Sequence, residues 1–138
     1  MATEVFEVQA IGRVASPLRS MADAPRQGDE GAPEAVIVLD DAFAVAARDL
    51  RPGDELIVLT WLHLADRDVV EVHPRGDVER PAQGVFTTRS PDRPNPIGLH
   101  EVTIVSIDGA RIRVSGLEAI DGTPVLDIKP ALGPVSER

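Results

Sequence analysis

Proline and glycine recur so often that an uninterrupted long helix has no room: 12 prolines and 11 glycines are spread through 138 residues. Short strands joined by tight turns suit that spacing far better. Phe6, Val8 and Ala10 alternate with Glu7 and Gln9, which predicts a first strand with its apolar set on one face. Residues 35–39 form a second apolar run, residues 56–62 are continuous enough for a strand buried on both faces, and residues 69–72 suggest a shorter one. The strongest hairpin signal is Asp108-Gly109 between residues 102–107 and 110–114, because the favoured two-residue turn needs positive φ at both central positions. A second Asp-Gly, Asp121-Gly122, precedes a strand over residues 124–128. One short helix fits residues 41–50, capped by Asp40 or Asp41 and stopped before Pro52. The expected fold is all-β: a small β-barrel with one short helix and long loops, preferred over a sandwich because closure removes exposed edges. A single domain over residues 1–138, with no C-terminal extension, is expected.

Composition removes several classes of function. Cysteine is absent, so disulfides, a thiolate nucleophile and cysteine-ligated zinc are all excluded. The formal charge of -9 opposes non-specific attraction to phosphate backbones, and with aromatic residues at 3% there is little to build a base-stacking platform from. The most apolar stretch, residues 56–65, is broken by Thr60 and His63 and is far shorter than the roughly 18 residues of a spanning helix. The acidic N-terminus lacks the positive charge of a secretory signal, so no membrane association and a cytoplasmic address are expected. His63, His73 and His100 show no metal-binding spacing, and no metal is assigned. Phosphate-loop, serine-elbow and Rossmann glycine fingerprints are missing too.

Residues 17–33, 74–83 and 90–98 fit no regular element, and long irregular loops in a compact domain are usually functional or disordered. The densest of the three follows a predicted strand ending in Thr87-Thr88 and reads Arg89-Ser90-Pro91-Asp92-Arg93-Pro94-Asn95-Pro96. Its prolines fix φ in advance, so a ligand would have little left to order. Arg89 and Arg93 offer forked donors for a carboxylate or phosphate, and Asn95 offers both a donor and an acceptor. The alternative for the arginines is pairing with nearby acids on a rigid surface loop. Around Asp121-Gly122, the glycine permits close approach of backbone to a ligand, and Asp121 and Asp127 suit a ribose diol or a cation. An ordinary turn and strand end is the competing reading there. His63, in an apolar segment, reads as a core residue ahead of an acid or base.

Four groups of residues carry a resemblance: Ile11-Gly12 with Ser16-Pro17, Pro25-Arg26-Gln27, the string from Gly84 to Leu99, and that from Asp121 to Pro130. On these the chain resembles the TrmO/TsaA-like family, whose characterised members are S-adenosylmethionine-dependent tRNA methyltransferases. The resemblance implies a non-Rossmann β-barrel working as a homodimer, with S-adenosyl-L-methionine held near the subunit interface. It places cofactor contacts on Pro25, Arg26, Gln27, His63, Leu64, Arg89, Leu99, Asp121, Gly122, Thr123 and Pro124. It implies methylation of N6 in N6-threonylcarbamoyladenosine beside the tRNA anticodon. Asn95, Asp127 and Lys129 are the candidates for substrate orientation or proton handling. Two positions depart from the family pattern: Leu64 stands where glutamine is frequent, and Ala131 where an aromatic residue closes the Asp-Ile-Lys-Pro string. A small-molecule methyl acceptor, or cofactor binding without catalysis, are the alternatives to tRNA methylation.

Overall fold

The computed structural model describes residues 3–18, 34–73 and 77–133. Eight strands form among the described residues: β1 (Gly12–Ala15), β2 (Ala35–Leu39), β3 (Glu55–Trp61), β4 (Glu71–Val72), β5 (Gln83–Gly84), β6 (Ile97–Asp108), β7 (Arg111–Ser115) and β8 (Pro124–Pro130). Six of them close in the order β1-β2-β7-β6-β3-β8, with β4 and β5 forming a separate two-stranded ribbon. Every pairing is antiparallel, and the ring shuts where Gly12 meets Val125 and Arg13 meets Pro124. The expected all-β barrel is therefore what the chain forms.

Alternation drives the closure. Val14, Ile37, Leu56, Val58, Val102, Ile104, Ile112, Val114 and Val125 all point inward and are buried. Each aliphatic side chain removed from water contributes roughly 1.5–3 kcal/mol. The intervening residues face out: Arg13, Arg111 and Arg113 are polar, whereas Val36, Val38, Ile57 and Leu59 are apolar and half-buried.

Several elements differ from expectation. Residues 3–10 are not a strand, and Phe6 and Val8 are 76% and 68% exposed. Opposite Gly12, β2 ends at Leu39, and the Asp40 amide turns off to the Ile11 carbonyl (2.9 Å). Upstream of Gly12 the alternation supplies a face, but among the described residues no strand pairs with it. Residues 56–62 were expected to be buried on both faces, yet in β3 only Leu56, Val58 and Thr60 are buried, while Ile57, Leu59 and Trp61 are half-buried on the outside. The predicted helix is a 3-10 helix over Asp41–Ala47 with no side-chain cap; the Asp40 carbonyl, not a carboxylate, takes the Phe43 amide at 2.9 Å. The hairpin turn is centred on Gly109-Ala110, one place later than expected, because Asp108 pairs with Arg111 below a register shift between Ile104 and Ser106.

The predicted strand ending at Thr87-Thr88 stops at Gly84 and winds into a 3-10 turn, Val85–Thr87. Thr87 Oγ1 donates to the Gly84 carbonyl and Thr88 Oγ1 to that of Val85, each at 2.9 Å. Such local back-bonding offers the chain an alternative to a ladder. Ile97 and Gly98, expected in the proline-rich loop, already belong to β6.

Candidate functional site

Antiparallel closure sorts the connections onto two rims. At one rim β1, β3 and β7 end while β2, β6 and β8 begin. There the chain carries His63 and Leu64 just past β3, Asn95 just before β6, and Asp121, Gly122 and Thr123 just before β8. Pro25, Arg26 and Gln27 lie outside the described residues.

Two sets of contacts hold this rim. Past β3, the Leu62 amide donates to the Pro96 carbonyl (2.8 Å), the Asp66 amide to Asp92 Oδ1 (2.8 Å), and the Arg93 amide to the Asp66 carbonyl (3.0 Å). Arg67 adds Nε to the Pro94 carbonyl (2.8 Å) and Nη2 to Asn95 Oδ1 (3.0 Å). Ahead of β8, the Gly122 amide donates to the Val14 carbonyl (2.7 Å) and the Asp121 amide to that of Leu18 (2.7 Å). Asp121 Oδ1 accepts the Ser16 amide at 3.0 Å. Gly122 has φ 86, a conformation few side chains tolerate, and nothing lies within 4 Å of the place a Cβ would take. Thr123 is buried, with its hydroxyl donating to the Ile120 carbonyl at 2.7 Å, and Pro124 starts β8 half-buried. Its amide donates to the Ile120 carbonyl (3.1 Å) and its carbonyl accepts the Val14 amide (2.9 Å), so its backbone groups are engaged within the fold as well.

The arginines divide. Arg93 spends its guanidinium on the carbonyls of Val85 and Thr88, so it braces the 3-10 turn, and among the described residues no acid pairs with it. Arg89 is exposed and has no side-chain partner among the described residues. Its backbone is fixed by turns on either side, where the Ser90 amide donates to Thr88 Oγ1 (3.2 Å) and the Asp92 amide to Ser90 Oγ (3.3 Å). His63 is exposed in the turn after β3, which corrects the reading of it as a core residue. Leu64 is 65% exposed.

Register places the remaining candidates on the outer wall. Leu99 and Asp127 both face Leu59, one from β6 and one from β8, so the three form a cross-strand row. Lys129 stands one row nearer the opposite rim, level with Ile57. Asp127 and Lys129 are mutually engaged, Oδ2 to Nζ at 3.0 Å, and Asp127 Oδ1 also accepts the Ile128 amide at 2.9 Å. The wall thus brings Asp127 and Lys129 together, while Asn95 stays at the rim with its carboxamide oxygen occupied by Arg67. Two open concavities, of about 430 and 610 Å³, lie at the opposite rim around Leu39, Ala47 and Leu50; Asp127 and Lys129 line the larger.

Sequence reasoning missed Trp61, Arg67, Thr60 and His100. Arg67 stacks on Trp61, and Thr60 shares a 2.8 Å hydrogen bond with His100. Only His100 had a signal within reach, since it directly follows the Gly98-Leu99 end of the proline-rich string. Among the described residues there is no cluster able to hold a metal ion, and no helix is long and apolar enough to cross a membrane.

A closed ring of six antiparallel strands with no Rossmann glycine fingerprint defines a small all-β, non-Rossmann class of protein. The chain belongs to the family defined by the tRNA-methyltransferase O N-terminal domain, whose model matches residues 13–135. A probable S-adenosyl-L-methionine-binding protein from Methanothermobacter thermautotrophicus is 43% identical over 125 residues, covering 91% of this chain and 89% of the other. An S-adenosyl-L-methionine-binding protein from Archaeoglobus fulgidus is 43% identical over 122 residues, covering 88% and 86%. The crystal structure of TrmO from Pseudomonas aeruginosa superposes with a TM-score of 0.74 at 30% identity, over 94% of this chain and 57% of that one. A second TrmO crystal structure gives 0.76 at 31% identity, over 94% and 58%. The chain therefore spans little more than half the length of the solved TrmO chains.

Proposed function

We propose that this protein binds S-adenosyl-L-methionine at the rim that gathers His63, Leu64, Asn95 and Asp121–Pro124, and is a methyltransferase. The observation that carries the reading is the convergence of residues from β3, β6 and β8 at one end of a ring belonging to this family. The donor set fits the cofactor. Arg89, exposed and without a side-chain partner among the described residues, suits its carboxylate, the exposed Asp121 carboxylate beside the open space at Gly122 suits its ribose diol, and Leu64 and Leu99 (65% and 45% exposed) suit its adenine face. When bound, the cofactor supplies an electrophilic methyl group on a sulfonium.

The chain's own residues then have positional work, because a methyl transfer gains most of its rate from alignment. Asn95, its oxygen held by Arg67, presents its amide N–H groups to an acceptor's carbonyl or ring nitrogen. Asp127 and Lys129, tied to each other, lie farther down the wall and are the weaker candidates for proton handling.

The proposed acceptor is N6 of N6-threonylcarbamoyladenosine beside the tRNA anticodon, which goes with a cytoplasmic address. Net charge of -9 favours a second reading, a small-molecule acceptor, since a large polyanion would be repelled. Incubation with methyl-labelled cofactor, tRNA lacking the modification and a low-mass metabolite fraction separates them. Label in tRNA supports the first reading, label in the small molecules the second, and binding without transfer to either reduces the protein to a cofactor-binding module.

A homodimer completes the proposal. Ile97 and Leu99 are 44% and 45% exposed on the outer wall beside half-buried Leu59 and Trp61, an apolar face suited to a second copy of the chain. Ile97→Asp is expected to turn a dimer into a monomer by light scattering, and a monomeric wild-type protein would refute this part.

A further inference from the structure

The upper end of the barrel is plugged by a polar pair that the cofactor reading does not use. On the inner wall of β6, Gly98 and His100 are followed by Val102 and Ile104, so His100 occupies a core-facing position. Register sets Thr60 opposite Gly98 and Val58 opposite His100. The imidazole therefore reaches diagonally across the Gly98 position to Thr60, with Nε2 and Oγ1 2.8 Å apart. Thr60 is wholly buried, the last inward residue of β3 before Trp61, Leu62 and the turn that carries His63 and Leu64.

Gly98 is what makes this contact possible. A Cβ there would stand 2.5 Å from Thr60 Oγ1, 2.9 Å from His100 Nε2 and 3.1 Å from Leu62 Cδ2. Hydroxyl, imidazole and leucine thus converge on the space that the glycine leaves. Leu62 in turn donates its amide to the Pro96 carbonyl at 2.8 Å, tying together the two loops that spring from β3 and β6. A purely apolar plug of the same volume would fill the space, but a hydrogen bond also fixes direction.

We infer that His100, through its hydrogen bond to Thr60 across Gly98, is a positioning residue that sets the junction of β3 and β6 and thereby places His63, Leu64 and Leu99 for the cofactor. The inference rests on the cofactor reading above for its consequence, though not for its geometry. It also explains why the proline-rich string ends in glycine: any larger residue at 98 would push apart the pair beneath it.

Trp61, the single tryptophan of the chain, adjoins Thr60 and reports on this junction without any ligand. The test compares Thr60→Val, which keeps shape and removes the hydroxyl, with Thr60→Ser, which keeps the hydroxyl. His100→Leu and His100→Gln form a parallel pair, and Val114→Ala, in β7, is a control for general loss of stability. Readouts are S-adenosyl-L-methionine affinity by calorimetry, Trp61 emission in the free protein, and Tm. Thr60→Val and His100→Leu are expected to weaken affinity about tenfold and shift the emission, with Thr60→Ser and His100→Gln staying within about threefold of wild type. Wild-type affinity and emission in Thr60→Val overturn the inference, as does an equal loss of affinity in Val114→Ala. If the wild-type protein does not bind the cofactor, the functional reading fails separately. Emission alone then decides the positioning role, and an unshifted Thr60→Val spectrum overturns it.

Discussion

The Arg67 guanidinium lies over the Trp61 indole, its central carbon 5.1 Å from the ring centroid, while the same group reaches both Pro94 and Asn95. One side chain thus joins the end of β3 to the loop that leads into β6. A planar fork can stack and donate at the same time, which an ammonium cannot.

Arg67→Ala is accordingly expected to lose about 1–2 kcal/mol, from the stacking and the two hydrogen bonds together. Arg67→Lys should recover less than half of that. Urea denaturation followed by Trp61 emission measures both the stability and the changed surroundings of the indole. A lysine variant as stable as the wild type would show that geometry at this clasp is unimportant.

Arg93 illustrates a different use of the same residue type. Its Nη2 serves the carbonyls of Val85 and Thr88 at once, closing the 3-10 turn that presents Arg89. Arg93→Met is expected to speed amide hydrogen exchange across residues 85–92 and to cost about 1–3 kcal/mol, because partly buried carbonyls lose a charged donor. Unchanged exchange at the Thr88 amide, which bonds the Val85 carbonyl at 3.0 Å, would contradict the bracing role.

Asp121 combines two tasks that substitution can separate. Its Oδ1 satisfies the Ser16 amide at 3.0 Å, and its carboxylate faces the rim. Asp121→Asn keeps an acceptor for Ser16 and is expected to hold stability within about 0.5 kcal/mol, whereas Asp121→Ala should lose about 1–2 kcal/mol. Both variants should weaken cofactor binding if the negative charge meets the ribose. Full affinity in Asp121→Asn, by calorimetry, would remove the carboxylate from the site.

These cases show which parts of the molecule the residues reveal in linear order. Strand β7 announces itself by alternation, β2 and β3 by continuous apolar runs, and β6 and β8 by the Asp-Gly turns beside them. The segment from Phe6 to Ala10 has the same alternation and stays exposed, since pairing depends on where β2 ends, a fact of tertiary closure. Arg89 and Arg93 look equivalent in the proline-rich string, yet only the folded turn shows which one faces carbonyls. His100 and Thr60 lie forty positions apart, and nothing local marks them as partners until Gly98 brings β3 and β6 into contact.

The same pair makes acid sensitivity a direct measure of the plug. Burial pushes the His100 imidazole down to about 4 from an ordinary value of 6.5, so it remains neutral in the folded protein well into mild acid. The unfolded chain takes up a proton near pH 6.5 and the native state only near 4, so the unfolded state binds more protons throughout that window. Stability from this residue is therefore complete above about pH 6.5 and falls as pH drops toward 4, by up to about 3 kcal/mol, since each tenfold difference in proton affinity between the two states is worth about 1.4 kcal/mol. Urea midpoints for wild type and His100→Gln between pH 7.5 and 4.5 measure the effect by difference, which cancels the carboxylates common to both. The wild-type curve is expected to fall more steeply with acid, and parallel curves would mean that the imidazole is not held neutral by its surroundings.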